Sequence, residues 1–125
     1  MTARNRRPLV LVVDDEEPIR AVIRAVLVDE GFDVATAFDA EEALLSCHKT
    51  CPDIILLDLN LPGIGGAAFL SMFRAAVFPA TPVVVVSAMV DGERTAHEMH
   101  ADDFVRKPFT ITELTDAVRR HTAAA

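Results

Sequence analysis

No aliphatic run in the chain exceeds five or six residues before a charge, Ser or Pro interrupts it. A membrane-spanning helix needs about 20 consecutive apolar residues, so a hydrophobic content of 51% supplies no candidate span. Positive charge is also scarce: 12 Lys and Arg stand against 19 Asp and Glu, a formal net charge of −7. Phosphate backbones are gripped by neutralising them with Lys and Arg, so direct nucleic-acid binding is not expected. Cysteine is limited to Cys47 and Cys51, and with His48 they lack the second ligand pair of a structural zinc site; small buried hydrophobes in a reducing compartment are expected instead. Met1 to Arg7 is basic, through Arg4, Arg6 and Arg7, but Pro8 and a strand-like run follow rather than the long apolar segment of a secretory signal. These features predict a cytoplasmic protein with a solvated basic arm over 1–8, one domain over 9–121 and a tail over 122–125, without repeats.

What is present is an alternation of two periods. Leu9 to Val13, Ile54 to Leu57 and Val83 to Val86 are continuous β-branched or aliphatic runs, as in strands buried on both faces. Phe32 to Thr36 and Asp103 to Arg106 complete five expected strands, placed partly by spacing. Between them, Ile19, Val22, Ile23, Val26 and Leu27 recur at helical spacing, with Pro18 in the first turn and Gly31 at the stop. A second helix should start at the cap Asp39 with Glu42 reaching back, and should turn Leu44 and Leu45 to the core. A third, from about Gly66 to Ala76, should bury Phe69, Leu70 and Phe73. A short fourth is expected near Glu93 to Met99. A fifth should open on the capping box Thr110 to Glu113 and bury Ile111, Leu114 and Val118. Strict alternation of strand and helix implies right-handed crossovers and a parallel α/β sheet, doubly wound, with helices on both faces. Ligands then bind beyond the carboxyl ends of the strands.

Each strand ends in a different chemical tool. Asp14 and Asp15 follow the first, Asp58 the third, Ser87 the fourth, and Lys107 with Pro108 the fifth. Three carboxylates converging on one crevice repel one another, and a hard divalent cation with oxygen ligands relieves that repulsion. Mg²⁺ suits the task because it keeps waters and shares phosphate oxygens. A carboxylate can also act as a nucleophile toward phosphorus when a metal and a cation such as Lys107 neutralise the transferred oxygens. The Ser87 hydroxyl can donate to a further oxygen. The bland alternative is a surface acidic cluster salt-bridged to Lys107.

The residues Val12-Val13-Asp14-Asp15-Glu16, Pro52 through Gly63, Val86-Ser87-Ala88 and Ala101 through Phe109, taken in order, resemble the receiver domain of two-component response regulators over roughly Leu9 to Ala117. The resemblance implies a flavodoxin-like, five-stranded sheet in the order 2-1-3-4-5, with a cis peptide between Lys107 and Pro108. It implies that Asp14 and Asp15 bind Mg²⁺ with Asp58 and the Asn60 backbone carbonyl, and that Asp58 is phosphorylated by a sensor histidine kinase or phosphotransfer protein. Ser87 and Phe104 would be switch residues, and the surface of the fourth helix, fifth strand and fifth helix would change shape for a downstream effector or a homodimer partner.

Several positions depart from the family pattern. Phe104 stands where Tyr is frequent, Gly65-Gly66 where Asp-Gly is frequent, and His100 where a helix-ending Gly is common; the segment from Ser87 to Lys107 is short. Two rival readings remain open. A small aspartate-dependent phosphatase would want a general acid and base two residues beyond the nucleophile, where Asn60 stands, so substrate turnover is not expected. A non-phosphorylated pseudo-receiver would keep the fold as an interaction module alone.

Overall fold

In the computed structural model, which describes residues 7–76 and 80–122, strands and helices alternate along the chain. They are β1 (Leu9–Val13), α1 (Glu17–Asp29), β2 (Asp33–Ala37), α2 (Ala40–Lys49), β3 (Ile54–Leu57), α3 (Gly65–Ala76), β4 (Val83–Ser87), α4 (Gly92–Glu98), β5 (Asp103–Arg106) and α5 (Ile111–Thr122). All strand pairs are parallel, in the order β2-β1-β3-β4-β5. β1 and β3 are therefore neighbours although α1, β2 and α2 separate them in sequence, and the strand order reverses between them. Residues 1–6 of the expected basic arm and 123–125 of the tail lie outside the described residues.

The period of two along each strand divides the core into two layers. Val10, Val12, Ile54, Leu56, Val84 and Val86 face Ile23 and Leu27 of α1 and Leu114 and Val118 of α5. Leu11, Val13, Ile55 and Leu57 face Ala43 and Cys47 of α2 and Phe69, Leu70 and Phe73 of α3. A smaller cluster joins Leu59 and Val85 to Ala96 of α4, with Phe104 against it.

Local chemistry sets the helix ends. Asp39 accepts the Glu42 amide at 2.8 Å, and the Glu42 carboxylate accepts the Phe38 amide at 2.9 Å, one residue before the cap. At α5 the box is reciprocal: Thr110 Oγ1 accepts from the Glu113 amide at 3.1 Å and the Thr110 amide donates to Glu113 at 2.8 Å. Gly31, at φ 98°, follows α1 as expected. His100 takes the left-handed conformation after α4, with φ 59°.

Some expectations are corrected. Val22, Leu45 and Ile111 are 52%, 58% and 60% exposed, so they lie on the solvent side of their helices rather than in the core. In α2 the buried positions are Ala40, Ala43 and Cys47, with Leu44 partly buried against the same layer. β2 begins one residue later than expected, α3 one residue earlier, and α4 spans Gly92–Glu98 with Met99 as its cap. Cys47 is buried as expected, but Cys51 is exposed; both are free thiols.

Candidate functional site

β1, β3 and β5 deliver their tools to the same end of the sheet because they run parallel and in register: Val13 pairs with Leu57, and Ser87 with Arg106. Asp14 and Asp58 are thereby the next residues on adjacent strands. The backbone holds them there: the Asp14 amide donates to the Ala37 carbonyl at 3.1 Å, and the Asp58 amide to the Val13 carbonyl at 2.9 Å. Both side chains are buried.

Lys107 closes the site. Its Nζ stands 2.6 Å from Asp14 Oδ2 and 3.4 Å from Asp58 Oδ2, with Glu16 at 3.8 Å. The Lys107 amide donates to the Ser87 carbonyl at 3.0 Å, which aligns the segment after β5 with the end of β4. The Lys107–Pro108 peptide is cis, as the resemblance implies.

The two charges respond to this setting in different ways. Burial pushes the Asp58 carboxyl above its ordinary range; Asp14 adds to the rise, while the Asn60 amide at 3.1 Å and the Lys107 charge oppose it. For Lys107, burial works against the charged form, but the hydrogen bond and charge of Asp14, with Asp58 adding, carry its ammonium above the ordinary lysine value.

Asp14, Asp15, Glu16 and Asp58 each offer a carboxylate oxygen, all within 4.8 Å of one another. A six-oxygen Mg²⁺ shell with ligands at about 2.1 Å spans about 4.2 Å from one ligand to its opposite, so this hard-oxygen donor set suits that ion. Asp15 and Glu16 are exposed and Asp14 and Asp58 buried, which leaves one side of the cluster open to solvent. Glu16 was not singled out from the sequence as part of this group, although it directly follows the acidic pair.

Ser87 is fully buried, and its Oγ accepts the Met89 amide at 3.0 Å. Phe104 is half-buried beside α4. Gly92 lies between them: a Cβ there would come within 3.2 Å of both Ser87 Oγ and Phe104 Cε1. Asn60 is exposed and follows Asp58 in the loop.

The response regulator receiver domain family model matches residues 10–119. The chain belongs to this family. The receiver is 41% identical over 114 residues to the transcriptional regulatory protein PrrA of Mycobacterium tuberculosis, covering 90% of this chain and 48% of PrrA. It is 38% identical over 115 residues to the DNA-binding response regulator MtrA of Mycolicibacterium smegmatis, covering 90% of this chain and 50% of MtrA. The chain thus spans about half the length of these curated relatives. Among solved structures, the receiver domain of NtrX from Brucella abortus superposes with a TM-score of 0.86 at 34% identity, covering 93% of this chain and 99% of that one. The chemotaxis response regulator CheY4 of Vibrio cholerae gives 0.85 at 29% identity, covering 92% and 98%. The receiver fold and its membership of the two-component response regulators are thereby established, and no helix among the described residues is long and apolar enough to cross a membrane.

Proposed function

We propose that this receiver is a phosphorylation switch in which Asp58 accepts a phosphoryl group from a sensor histidine kinase or phosphotransfer protein. The observation that carries the reading is the Lys107 ammonium at 2.6 Å from Asp14 and 3.4 Å from Asp58, with both carboxylates buried. An Asp58 oxygen attacks phosphorus; a P–O bond forms while the P–N bond to the donor imidazole breaks, and the bonding pair leaves with the imidazole. The product is an acyl phosphate on Asp58. Lys107 neutralises charge on the transferred oxygens, and the Ser87 hydroxyl donates its proton to one of them. Asp14, Asp15, Asp58 and the Asn60 carbonyl would hold Mg²⁺, which supplies further neutralisation of those oxygens.

Phosphorylation replaces the Asp58 carboxylate with a group of roughly two negative charges and three strong acceptors, so Ser87 and Lys107 gain contacts that exist in one state only. Ser87 turns toward the phosphoryl group, Phe104 follows, and the face of α4, β5 and α5 changes for a downstream effector or a second copy. Direct DNA contact by this domain is not part of the reading, in keeping with its net charge of −7. Substrate turnover is not part of this reading, because Asn60 offers no proton to transfer. The setting for such a switch is the cytoplasm.

Incubation with acetyl phosphate and Mg²⁺, followed by intact-protein mass measurement beside Asp58→Asn, tests the reading. One stable phosphoryl addition to the parent alone is expected. Many cycles of phosphate release would indicate a phosphatase, and no mass change under saturating donor would indicate a pseudo-receiver.

A further inference from the structure

Arg106 is the last residue of β5 and pairs with Ser87 in register. Its side chain reaches two partners at once: Nη1 donates to the Met89 carbonyl at 2.9 Å, and the guanidinium carbon lies 5.1 Å from the centre of the Phe104 ring. Those partners belong to separate elements. Met89 sits in the loop that carries Ser87 into α4, and Phe104 belongs to the edge strand. We propose that Arg106 is a positioning residue whose guanidinium braces the β4–α4 loop against Phe104, and thereby sets how readily Ser87 turns to the phosphoryl group. This rests on the phosphorylation reading given above.

Both backbone polar groups of Met89 are committed. The Met89 amide donates to Ser87 Oγ at 3.0 Å, while its carbonyl accepts from the Gly92 amide at 3.0 Å as well as from Arg106. Gly92 has no slack, since a Cβ would meet Ser87 Oγ and Phe104 Cε1 at 3.2 Å. Ser87, Met89, Gly92 and Phe104 therefore shift as a connected set, and Arg106 closes that set from the solvent side. When Ser87 turns, the Met89 amide loses its acceptor and the carbonyl moves relative to the ring. Arg106 cannot hold both partners through that change, so it favours the arrangement seen here over the switched one. Giving up only the weaker of the two, the exposed cation–π contact, corresponds to about a fivefold change in the balance between the two arrangements.

The experiment uses the unmodified protein first. Arg106→Ala should shift and broaden the Met89 methyl resonance in NMR spectra, the resonance being identified by its loss in Met89→Leu. The same variant should then take up phosphoryl from acetyl phosphate about fivefold faster than the parent, with Arg106→Lys in between because it keeps the cation without the planar donor. An unmoved Met89 resonance overturns the brace. So does an Arg106→Ala protein with a lower urea midpoint and an uptake rate equal to the parent's, since that is a structural role only. If the parent itself accepts no phosphoryl group, the phosphorylation reading and the brace fall together; if the parent accepts and Arg106→Ala matches it, the brace alone falls.

Discussion

A Cβ placed on Gly66 would lie 2.6 Å from the carbonyl oxygen of Asp58 and 2.8 Å from the Cα of Leu59. Both atoms are backbone, so neither can swing aside. The Gly66 amide also donates to the Leu59 carbonyl at 3.1 Å, pinning the start of α3 under the loop that carries Asp58. Gly66→Ala should therefore lower stability by about 2 kcal/mol, the scale of overpacking, and slow phosphoryl uptake because the displaced peptide is that of Asp58. Urea unfolding and a mass-based uptake assay check both. Gly65→Ala is the control: nothing lies within 4 Å, but its φ of +79° makes a side chain cost about 1 kcal/mol through the backbone alone.

Lys107→Met should destabilise the protein at pH 7 by on the order of 3 kcal/mol, because it leaves two buried carboxylates without their cation. Added Mg²⁺ should restore part of the loss by occupying the same acids. In the parent, the Lys107 ammonium is held above its ordinary value, so its contribution is complete below about pH 10.4 and fades as pH rises through the folded value. Urea midpoints of parent and variant with and without Mg²⁺ measure this; a variant as stable as the parent would refute it.

Asp58 shifts stability in the same direction with pH but in a far lower window, and at pH 7 its buried charge destabilises where that of Lys107 stabilises. Its carboxyl is raised, burial being the main cause, so between about pH 4 and the folded value the native protein holds more proton than the unfolded chain. Stability therefore falls as pH rises through that window and stays lower above it. Asp58→Asn should be more stable than the parent at pH 7 without Mg²⁺, and the gap should close below about pH 4. A parallel pair of stability curves across that range would contradict the assignment.

The two thiols should react at very different rates. Burial, with Cys51 adding, pushes the Cys47 thiol up to about 11, whereas Cys51 lies exposed. A maleimide at pH 7 should label one site quickly, lost in Cys51→Ser, and the second only as the protein unfolds.

The residues that were legible in the sequence are those whose type alone narrows their setting. Unbroken aliphatic runs such as Val83 to Val86 suit only a doubly covered strand, and Asp39 and Thr110 carry their cap partners three residues on. The acids and Lys107 could be placed because each follows a strand, and strand ends share one side of a parallel sheet. Helix faces were less legible. In α2, Leu44 does pack partly buried against the core, but the fully buried positions are Ala40, Ala43 and Cys47, and Leu45 is left outside. Ile111 was drawn to the core by its apolar character, but it opens α5 on the turn facing solvent. Gly66 and Gly92 depend on atoms remote in sequence, and Arg106 matters through a carbonyl 17 positions away, a relationship that no local pattern encodes.

The outer rims of the sheet have a consequence for how copies of this protein can meet. β2 opens with Asp33, and β5 is four residues long and bounded by Asp103 and Arg106. Short margins bearing charge discourage another chain from adding a strand through its main-chain groups. That leaves side-chain surfaces on the helices as the way for another chain to dock, where contacts can be made and released without unzipping a ladder of backbone bonds.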